Sequence, residues 1–249
     1  MKQAYSRISF RKISLNTAFR YAFLLFTVSG SQALVAQSKE DFSDDWAALS
    51  HYANENRSVP PPAAGEKRVV FLGSSIFQFW KEKVPAYFAG KPYYDRGISG
   101  QLSPQLLLRF QQDVIALKPK AVIILAGSND IAANRGHVTI GRIMDNIRSM
   151  CELAKIHSIK VILCEYLPVY EYPWRKELKP AGTIIALNKA IRAYARTEHI
   201  TVLDYFTPLA DERNGQKKEL TTDGVHPNEA GYALMAKATN DAIRRALGE

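Results

Sequence analysis

The stretch that decides the fold is Arg68-Val69-Val70-Phe71-Leu72-Gly73-Ser74-Ser75-Ile76-Phe77-Gln78-Phe79-Trp80. Its run of four apolar residues, 69–72, is typical of a strand that is buried on both faces of a parallel sheet. Gly73 permits a sharp turn, and Ser74 and Ser75 stand where a helix would begin. Such a strand, turn and helix place a serine hydroxyl at the carboxyl edge of the sheet, where open α/β sheets bind ligands. Ser75 is therefore the candidate nucleophile.

Four more strands are predicted downstream, over 91–96, 121–125, 159–164 and 200–205. Apolar residues at helical spacing predict helices between them: one from Ser103 to Leu117, one from Ile140 to Ala154, one around 184–194 and a final one over 228–247. Residues 165–180 hold several aromatic residues and prolines and are predicted to be an irregular loop, which either borders a site or covers the core. Strands that alternate with helices indicate an α/β fold with a five-stranded parallel sheet covered on both faces.

Residues 1–36 have the order of a secretory signal peptide. Their only charges are five positive ones, an apolar run over 21–28 follows, and small residues end the segment, with candidate cleavage sites at 31–33 and 34–36. The apolar run is shorter than the roughly 20 residues that a membrane span needs. We therefore expect a secreted or periplasmic protein without stable membrane insertion after cleavage. An uncleaved N-terminal anchor is the alternative that the sequence leaves open.

The remaining chain is predicted to have two parts. Residues 37–66 would form an N-terminal helix over 41–56, with Trp46, Leu49 and Tyr52 on one face, followed by a proline-rich linker over 58–65 that cannot be helical. The α/β domain would then occupy residues 67–249.

Charge and cysteine content exclude several classes of function. Five of the positive charges in the formal +9 lie in the first 36 residues, which leaves +4 on the rest of the chain, without a basic run. A nucleic-acid partner is not indicated. The two cysteines, Cys151 and Cys164, are too few for a disulfide framework and are predicted to be small buried hydrophobic residues. No cluster has metal-ligand spacing, so no metal or other cofactor is expected.

A base for Ser75 is predicted near the C-terminus. A serine hydroxyl is a weak nucleophile until a base takes its proton, and the histidine that usually does so needs a carboxylate to fix its tautomer. In 222–228, Asp223 and His226 are three residues apart, close enough for a tight turn to bring the carboxylate to Nδ1. The other four histidines lack such a setting and are predicted at the surface or at helix ends: His51, His137, His157 and His199.

Acyl transfer also needs hydrogen-bond donors for the oxyanion that develops in the transition state. The candidates are the N–H groups of Gly100 and Ser75 and the side-chain amide of Asn129. An asparagine at the end of a strand can also do no more than cap a turn.

These blocks together resemble the SGNH hydrolases, also called GDSL esterases and lipases. The matching blocks are Gly73-Ser74-Ser75, Gly97-Ile98-Ser99-Gly100, Gly127-Ser128-Asn129-Asp130 and Asp223-Gly224-Val225-His226-Pro227, in the order of that family. The resemblance implies a flavodoxin-like three-layer fold for a hydrolase domain over 67–249. It also implies Ser75 as nucleophile, His226 as base and Asp223 as the group that orients it, with Gly100 and Asn129 completing the oxyanion hole.

One position departs from the family pattern. Ser74 stands where the family usually has aspartate before the nucleophile, which affects the support of the turn and the expected rate. No Gly-x-Ser-x-Gly elbow surrounds Ser75, which argues against the α/β-hydrolase fold.

The expected function is a secreted carboxylic ester hydrolase that removes small acyl groups, with acetyl esters of carbohydrates as the candidate substrates. An alternative is a lysophospholipase or thioesterase, which would need a long apolar groove. A second alternative is a non-catalytic carbohydrate-binding protein on the same fold, since a fold can persist without its chemistry.

Overall fold

The computed structural model of the chain describes residues 44–249, and the signal peptide predicted over 1–36 lies outside them. Its five strands form one sheet in the order β2-β1-β3-β4-β5, and every neighbouring pair is parallel. The strands are β1 (Val69–Gly73), β2 (Tyr93–Gly97), β3 (Ala121–Ile124), β4 (Lys160–Glu165) and β5 (Thr201–Asp204). The predicted five-stranded parallel sheet is confirmed, with strand ends within two residues of those expected.

Nine α-helices connect and cover the strands within residues 44–249. They are α1 (Ala53–Ser58), α2 (Ser75–Lys83), α3 (Ser103–Leu108), α4 (Phe110–Asp113), α5 (Ser128–Ile131), α6 (Ile140–Ile156), α7 (Ala181–Thr197), α8 (Phe206–Leu209) and α9 (Glu229–Leu247). None of the helices in this part of the chain combines the length and apolar character that a membrane span requires.

The core consists of two apolar layers, one on each face of the sheet. Along β1, Val69 and Phe71 pack into the layer covered by α2 and α9, whereas Val70 and Leu72 pack into the layer covered by α3, α4, α6 and α7. All four of these side chains are fully buried. This burial explains why the strand is continuously apolar, and it confirms the three-layer α/β/α architecture.

The strand order places a crevice next to β1. After β2 pairs on one side of β1, the chain crosses back and β3 pairs on the other side. The segments that leave β1 and β3 therefore diverge at the carboxyl edge, and such a switch point is where open α/β sheets bind ligands. Ser75 follows β1 and Asn129 follows β3, so both residues lie at this edge.

The prediction of one helix over 41–56 is wrong over residues 44–52, where turns form, and correct only over 53–56. Only α1, a six-residue helix, forms, and turns precede it. The Asp45 carboxylate accepts the N–H groups of Leu49 and Ser50 at 2.8 and 2.7 Å, which closes a turn, and Ala48 has a positive φ of 54°. The Ala47 carbonyl accepts a hydrogen bond from the side chain of Gln101. Contacts with the domain thus replace the hydrogen bonds of the expected helix.

The helix predicted from Ser103 to Leu117 is interrupted. It is split into α3, α4 and a 3₁₀ turn over Ile115–Leu117. The first break falls at Arg109, where the backbone has φ −91° and ψ 3° and the side chain is fully buried. The apolar spacing had indicated the buried face correctly but carried no signal of the break.

Gly97 provides a test of how closely the ends of β1 and β2 pack. A Cβ atom at this position would lie 2.8 Å from the carbonyl oxygen of Ser74 and closer still to the nitrogen of Gln78. Overpacking of this kind costs about 1–3 kcal/mol. We expect Gly97→Ala to lower the free energy of unfolding by this amount in urea titrations.

Gly182 is the matched control, because it lies in α7 and a Cβ atom there would meet nothing within 4 Å. Gly182→Ala should leave stability unchanged or raise it by up to about 1 kcal/mol, since alanine favours helix. Equal stability of the two variants would contradict the close packing at Gly97.

Candidate active site

The serine turn joins β1 directly to α2. β1 ends at Gly73 and α2 begins at Ser75, so Ser74 alone separates them. A Cβ atom on Gly73 would lie 2.8 Å from the Phe77 ring, which explains the glycine. Ser75 is the first helical residue, and the first N–H groups of a helix have no partner within it. Its hydroxyl and its N–H therefore both lie at the carboxyl edge of the sheet.

The turn that precedes α9 orients an imidazole. Oδ1 of Asp223 accepts the N–H groups of Val225 and His226 at 2.9 and 2.8 Å. Its other oxygen, Oδ2, lies 2.7 Å from Nδ1 of His226. Gly224 has a φ of +84°, a conformation that glycine adopts without strain. The three-residue spacing of Asp223 and His226 thus produces the carboxylate–imidazole contact expected of it.

Ser75 and His226 meet across the fold, although they are 151 residues apart in the chain. Oγ of Ser75 lies 3.0 Å from Nε2 of His226. A hydroxyl, an imidazole and the Asp223 carboxylate therefore form a continuous hydrogen-bonded series. In this order the carboxylate holds the proton on Nδ1, so that Nε2 is free to accept the proton of the hydroxyl.

The electrostatics of Asp223 favour its ionised form. Partial burial by itself would raise its pKa, but hydrogen bonds from the His226 and Val225 N–H groups and from the imidazole outweigh burial. The pKa of the carboxyl therefore lies below its ordinary value. Asp223 remains a carboxylate throughout the range in which a histidine takes up a proton.

The two remaining predicted site residues, Asn129 and Gly100, are connected through Gln101. The Nδ2 group of Asn129 donates to the backbone carbonyl of Gln101, the residue after Gly100, at 2.9 Å. Its Oδ1 accepts from Nδ2 of Asn134 at 2.8 Å, which fixes the orientation of the amide. Gly100 has a φ of +77°, and its N–H has no acceptor within residues 44–249. The second side-chain N–H of Asn129 and the backbone N–H of Gly100 thus remain available as donors.

Asp130 anchors the short helix that carries Asn129. Its carboxylate is completely buried and accepts the N–H and the hydroxyl of Ser103 at 2.9 and 2.6 Å. Burial raises the pKa of the Asp130 carboxyl above its ordinary value, although the hydrogen bonds from Ser103 oppose this shift. Within the block Gly127-Ser128-Asn129-Asp130, Asp130 therefore has a structural role, because it ties the end of β3 to the start of α3.

Two aromatic rings flank His226, and the residue pattern had not singled them out. The Phe79 ring lies 5.0 Å from the imidazole, centroid to centroid, and the Trp174 ring lies 6.3 Å away at an interplanar angle of 29°. Nε1 of Trp174 donates to Oδ1 of Asn134 at 3.2 Å. The sequence predicts that the 165–180 loop either borders a site or covers the core, and its composition does not distinguish Trp174 from the other aromatic residues.

A cavity of about 420 Å³ adjoins the carboxylate end of the series. It is lined by Tyr170, Glu171, Pro173, Lys176, Arg213, Gly215, Gln216, Asp223 and Gly224. A larger cavity of about 790 Å³ lies at the amino ends of β4 and β5, the opposite edge of the sheet from Ser75. A third cavity, of about 560 Å³, lies on the other side of the turn that holds Asp223 and is lined by Lys83, Thr222, Asn228, Glu229 and Ala230. Of these three cavities, the one of 420 Å³ is the one that Asp223 itself lines.

The remaining histidines and the cysteines lie away from this series. All four of the other histidines are exposed, and Cys151 and Cys164 are free and buried. Burial raises the pKa of the Cys151 thiol to about 12, which makes it a poor nucleophile. Within residues 44–249 no group of three or more His, Cys, Asp or Glu side chains has metal-binding geometry.

Comparison with known proteins identifies relatives over most of the domain. The model of the GDSL-like lipase/acylhydrolase family matches residues 71–234. A GDSL-like lipase from Bacteroides thetaiotaomicron is 43% identical, with a TM-score of 0.79 over 81% of this chain and 99% of that one. A candidate acylhydrolase from Bacteroides fragilis is 42% identical, with a TM-score of 0.80 over 82% of this chain and 99% of that one.

Two further similarities are more distant. The acetyl xylan esterase AlAXEase shares the fold, with a TM-score of 0.58 and 21% identity over 70% of this chain and 98% of its own. The uncharacterized lipoprotein YqeF of Bacillus subtilis is 37% identical over 78 residues, which are 30% of this chain and 32% of that protein. The match thus spans about a third of the lipoprotein. The family match and the two Bacteroides structures show that the chain belongs to the GDSL-like lipases and acylhydrolases, the SGNH hydrolases, a family of enzymes that hydrolyse esters.

Proposed function

We propose that this protein is a serine esterase in which Ser75 is the nucleophile, His226 the general base and Asp223 the group that orients the base. The observation that carries the proposal is the unbroken series of contacts, 3.0 Å from Ser75 Oγ to His226 Nε2 and 2.7 Å from His226 Nδ1 to Asp223 Oδ2. Each distance is within hydrogen-bonding range, as proton transfer requires.

The reaction would proceed in two halves. Nε2 of His226 takes the proton from Ser75 as its Oγ attacks the acyl carbonyl carbon, and the carbonyl electrons move onto the oxygen. The backbone N–H groups of Ser75 and Gly100 and the side-chain amide of Asn129 are the proposed donors to that oxyanion. When the intermediate collapses, the imidazolium protonates the departing alcohol and the acyl group remains on Ser75. Water then attacks this ester in the same way, releasing the carboxylic acid and restoring the hydroxyl.

Carbohydrate is the alcohol that the surroundings of the site favour. The Trp174 ring is 48% exposed and lies beside His226, where the leaving alcohol would be protonated. An exposed indole offers an apolar face on which the C–H groups of a sugar ring can pack. The cavity next to Asp223 presents polar side chains, including Glu171, Lys176 and Arg213, that suit hydroxyl groups. Because the fold also occurs in an acetyl xylan esterase, acetylated xylo-oligosaccharides are the first substrates to test.

We further propose that the protein is secreted or periplasmic and is processed to a mature chain. The support is the order of charged, apolar and small residues over 1–36 and the similarity to a lipoprotein over 78 residues. In this proposal residues 67–249 form the hydrolase domain, and 37–66 are the segment that precedes it.

Removal of the Ser75 hydroxyl tests the nucleophile. We expect Ser75→Ala to lower kcat on p-nitrophenyl acetate by at least about 10³-fold, because no other group would form the acyl-enzyme. Circular dichroism and thermal unfolding should match those of the wild type. Ser149→Ala is the control, since that hydroxyl bonds to its own helix at the surface of α6. Turnover of the Ser75→Ala variant at the wild-type rate would contradict the proposal.

The pH dependence tests the base. On the acid side of the profile we expect kcat/KM to fall by about tenfold per pH unit, since an Nε2 atom that already carries a proton cannot accept the proton of Ser75. The lowered pKa of Asp223 keeps the carboxylate ionised over this range, so the acid limb reports the imidazole. Profiles of kcat/KM from about pH 5 to about pH 9 would measure this fall.

Asp223→Asn should lower kcat by about 10²–10⁴-fold, because an amide facing Nδ1 favours the wrong tautomer of His226. Asp145→Asn is the control, since the Asp145 carboxylate bonds to Arg148 on the exposed face of α6. A wild-type kcat/KM that does not fall on acidification would contradict His226 as the base. Equal activity of the two aspartate variants would contradict Asp223 as the group that orients it.

Substitution of Trp174 tests the sugar platform. We expect Trp174→Ala to lower kcat/KM on acetylated xylo-oligosaccharides by about tenfold, mainly through KM, and to change hydrolysis of p-nitrophenyl acetate less. Trp174→Phe should retain most of the activity on the oligosaccharides, because it keeps an aromatic face while losing the hydrogen bond to Asn134. Trp46→Ala is the control, since this tryptophan is equally exposed, at 47%.

The acyl and alcohol specificity of the wild type decides between this proposal and a lysophospholipase or thioesterase. We expect p-nitrophenyl acetate to be hydrolysed with a higher kcat/KM than p-nitrophenyl decanoate. A clear preference for decanoate, or equal losses of Trp174→Ala on both acetyl substrates, would contradict the proposal for carbohydrate acetyl esters.

A further inference from the structure

The guanidinium of Arg109 is completely buried beneath the carboxyl edge of the sheet. Its Nη2 donates to the carbonyl of Gly73 at 3.0 Å and to that of Arg96 at 2.6 Å. Its Nε donates to Oε1 of Gln101 at 2.5 Å, and its Nη1 pairs with the Asp113 carboxylate at 2.8 Å. All three nitrogens of the guanidinium are therefore engaged.

The acceptors of Arg109 belong to both loops of the site. Gly73 immediately precedes the serine turn, and its carbonyl also accepts the N–H of Ile98, in the second loop, at 3.2 Å. Arg96 immediately precedes the loop Gly97-Ile98-Ser99-Gly100, and Gln101 immediately follows it. The guanidinium is thus bonded at the root of the serine turn and at both ends of the glycine loop.

Gln101 extends these contacts to Asn129. While its Oε1 accepts from Arg109, its Nε2 donates to the carbonyl of Ala47 at 2.8 Å, so the side chain is held at both ends. The backbone carbonyl of the same residue accepts the Asn129 amide at 2.9 Å. A displacement of Gln101 would therefore move the Gly100 N–H and the Asn129 amide together.

The cost of burying this charge is offset locally. Asp113 is also completely buried, and its carboxylate, one turn along the chain, neutralises Arg109. The planar guanidinium presents several N–H groups in a fixed fork, whereas a lysine ammonium is a compact point charge that cannot reach the same acceptors with the same geometry. A lysine at this position would therefore not reproduce the four contacts of Arg109.

We propose that Arg109 is a positioning residue for catalysis, which sets the placement of the Ser75 turn relative to the oxyanion donors Gly100 and Asn129. This inference rests on the proposed esterase function. Arg109 contacts neither the substrate nor the reacting atoms, and it acts through Gly73 and Gln101. A misplacement of about 1 Å in an active site can cost about 10²-fold in rate.

The test compares Arg109→Lys with Arg68→Lys. Arg68 is also buried, but at the start of β1, where it donates to the carbonyls of Leu117 and Pro60 at 2.8 and 3.0 Å. Both variants should be less stable than the wild type. On p-nitrophenyl acetate, at a temperature where both are folded, Arg109→Lys should lose about 10²-fold in kcat with KM within about threefold, since transition-state contacts are lost and ground-state binding is kept. Arg68→Lys should keep the wild-type kcat.

A second pair of variants is available if Arg109→Lys does not fold. Gln101→Met removes the amide that joins Arg109 to the glycine loop and should lower kcat by about tenfold or more. Gln105→Met is the control, because the Gln105 side chain also bonds to the N-terminal segment, at the Trp46 carbonyl, and accepts the Leu102 N–H at 2.9 Å at the start of α3, without contacting the Arg109 side chain. It should keep the wild-type kcat.

Two results would overturn the inference: a wild-type kcat in a folded Arg109→Lys variant, or equal kcat losses within both pairs of variants. The failure of the proposed function is distinguishable from these results. It would appear as wild-type protein that does not hydrolyse the ester, or as a Ser75→Ala variant with full activity, and this inference would fall with it.

Discussion

The close contact between Gly97 and the serine turn is the constraint on which the site depends. β1 and β2 end in register, with Gly73 opposite Gly97, and Gly97 has no Cβ atom on the face where the serine turn packs. The backbone of Ser74 and Gln78 can therefore lie against Gly97. The two loops that leave these strands start from adjacent points. In the proposed mechanism this adjacency lets the Ser75 hydroxyl and the Gly100 N–H act on one carbonyl group.

Buried polar groups hold this edge of the sheet in place. The Asp95 carboxylate accepts the Gly97 N–H at 2.6 Å, and burial raises the pKa of this carboxyl to about 6. Asp130 binds the start of α3, and Arg109 binds the ends of β1 and β2. Burying charges is costly unless hydrogen bonds and counter-charges compensate. Asp113 and Ser103 supply this compensation to Arg109 and Asp130. In the proposed mechanism it fixes the oxyanion donors before the substrate arrives, the arrangement that stabilises a developing oxyanion most effectively.

The base side of the site is built differently. Asp223 and His226 belong to one short turn whose hydrogen bonds are almost all local, and their side chains are 37% and 15% exposed. The imidazole meets the rest of the site through the Ser75 hydroxyl and through the rings of Phe79 and Trp174. The proposed nucleophile and oxyanion donors thus face a compact turn that is more accessible to solvent. In the proposed mechanism the leaving alcohol and the incoming water pass on that side.

Local patterns carried the fold and most of the candidate site. A continuous apolar run is required of a strand buried on both faces, and glycine is required where backbones touch, so both features are visible in β1 and at Gly97 without coordinates. The three-residue spacing of Asp223 and His226 is equally local. These patterns, with the order of the four blocks, were sufficient to predict a parallel α/β sheet and to name the residues that meet at its edge.

The tertiary structure determined those features of the fold and the site that depend on residues far apart in the chain. The segment before α1 forms turns and not the expected helix, because its carbonyls bond to side chains such as Gln101, 54 residues away from Ala47. The break at Arg109 follows from acceptors in two other strands, and Trp174 is distinguished from its neighbours only by its position beside His226. The sequence by itself determined which backbone the residues prefer and which chemistry they carry. Only the packed chain decided which distant groups share a hydrogen bond, because a periodic pattern records local preference and burial but not the identity of the partner.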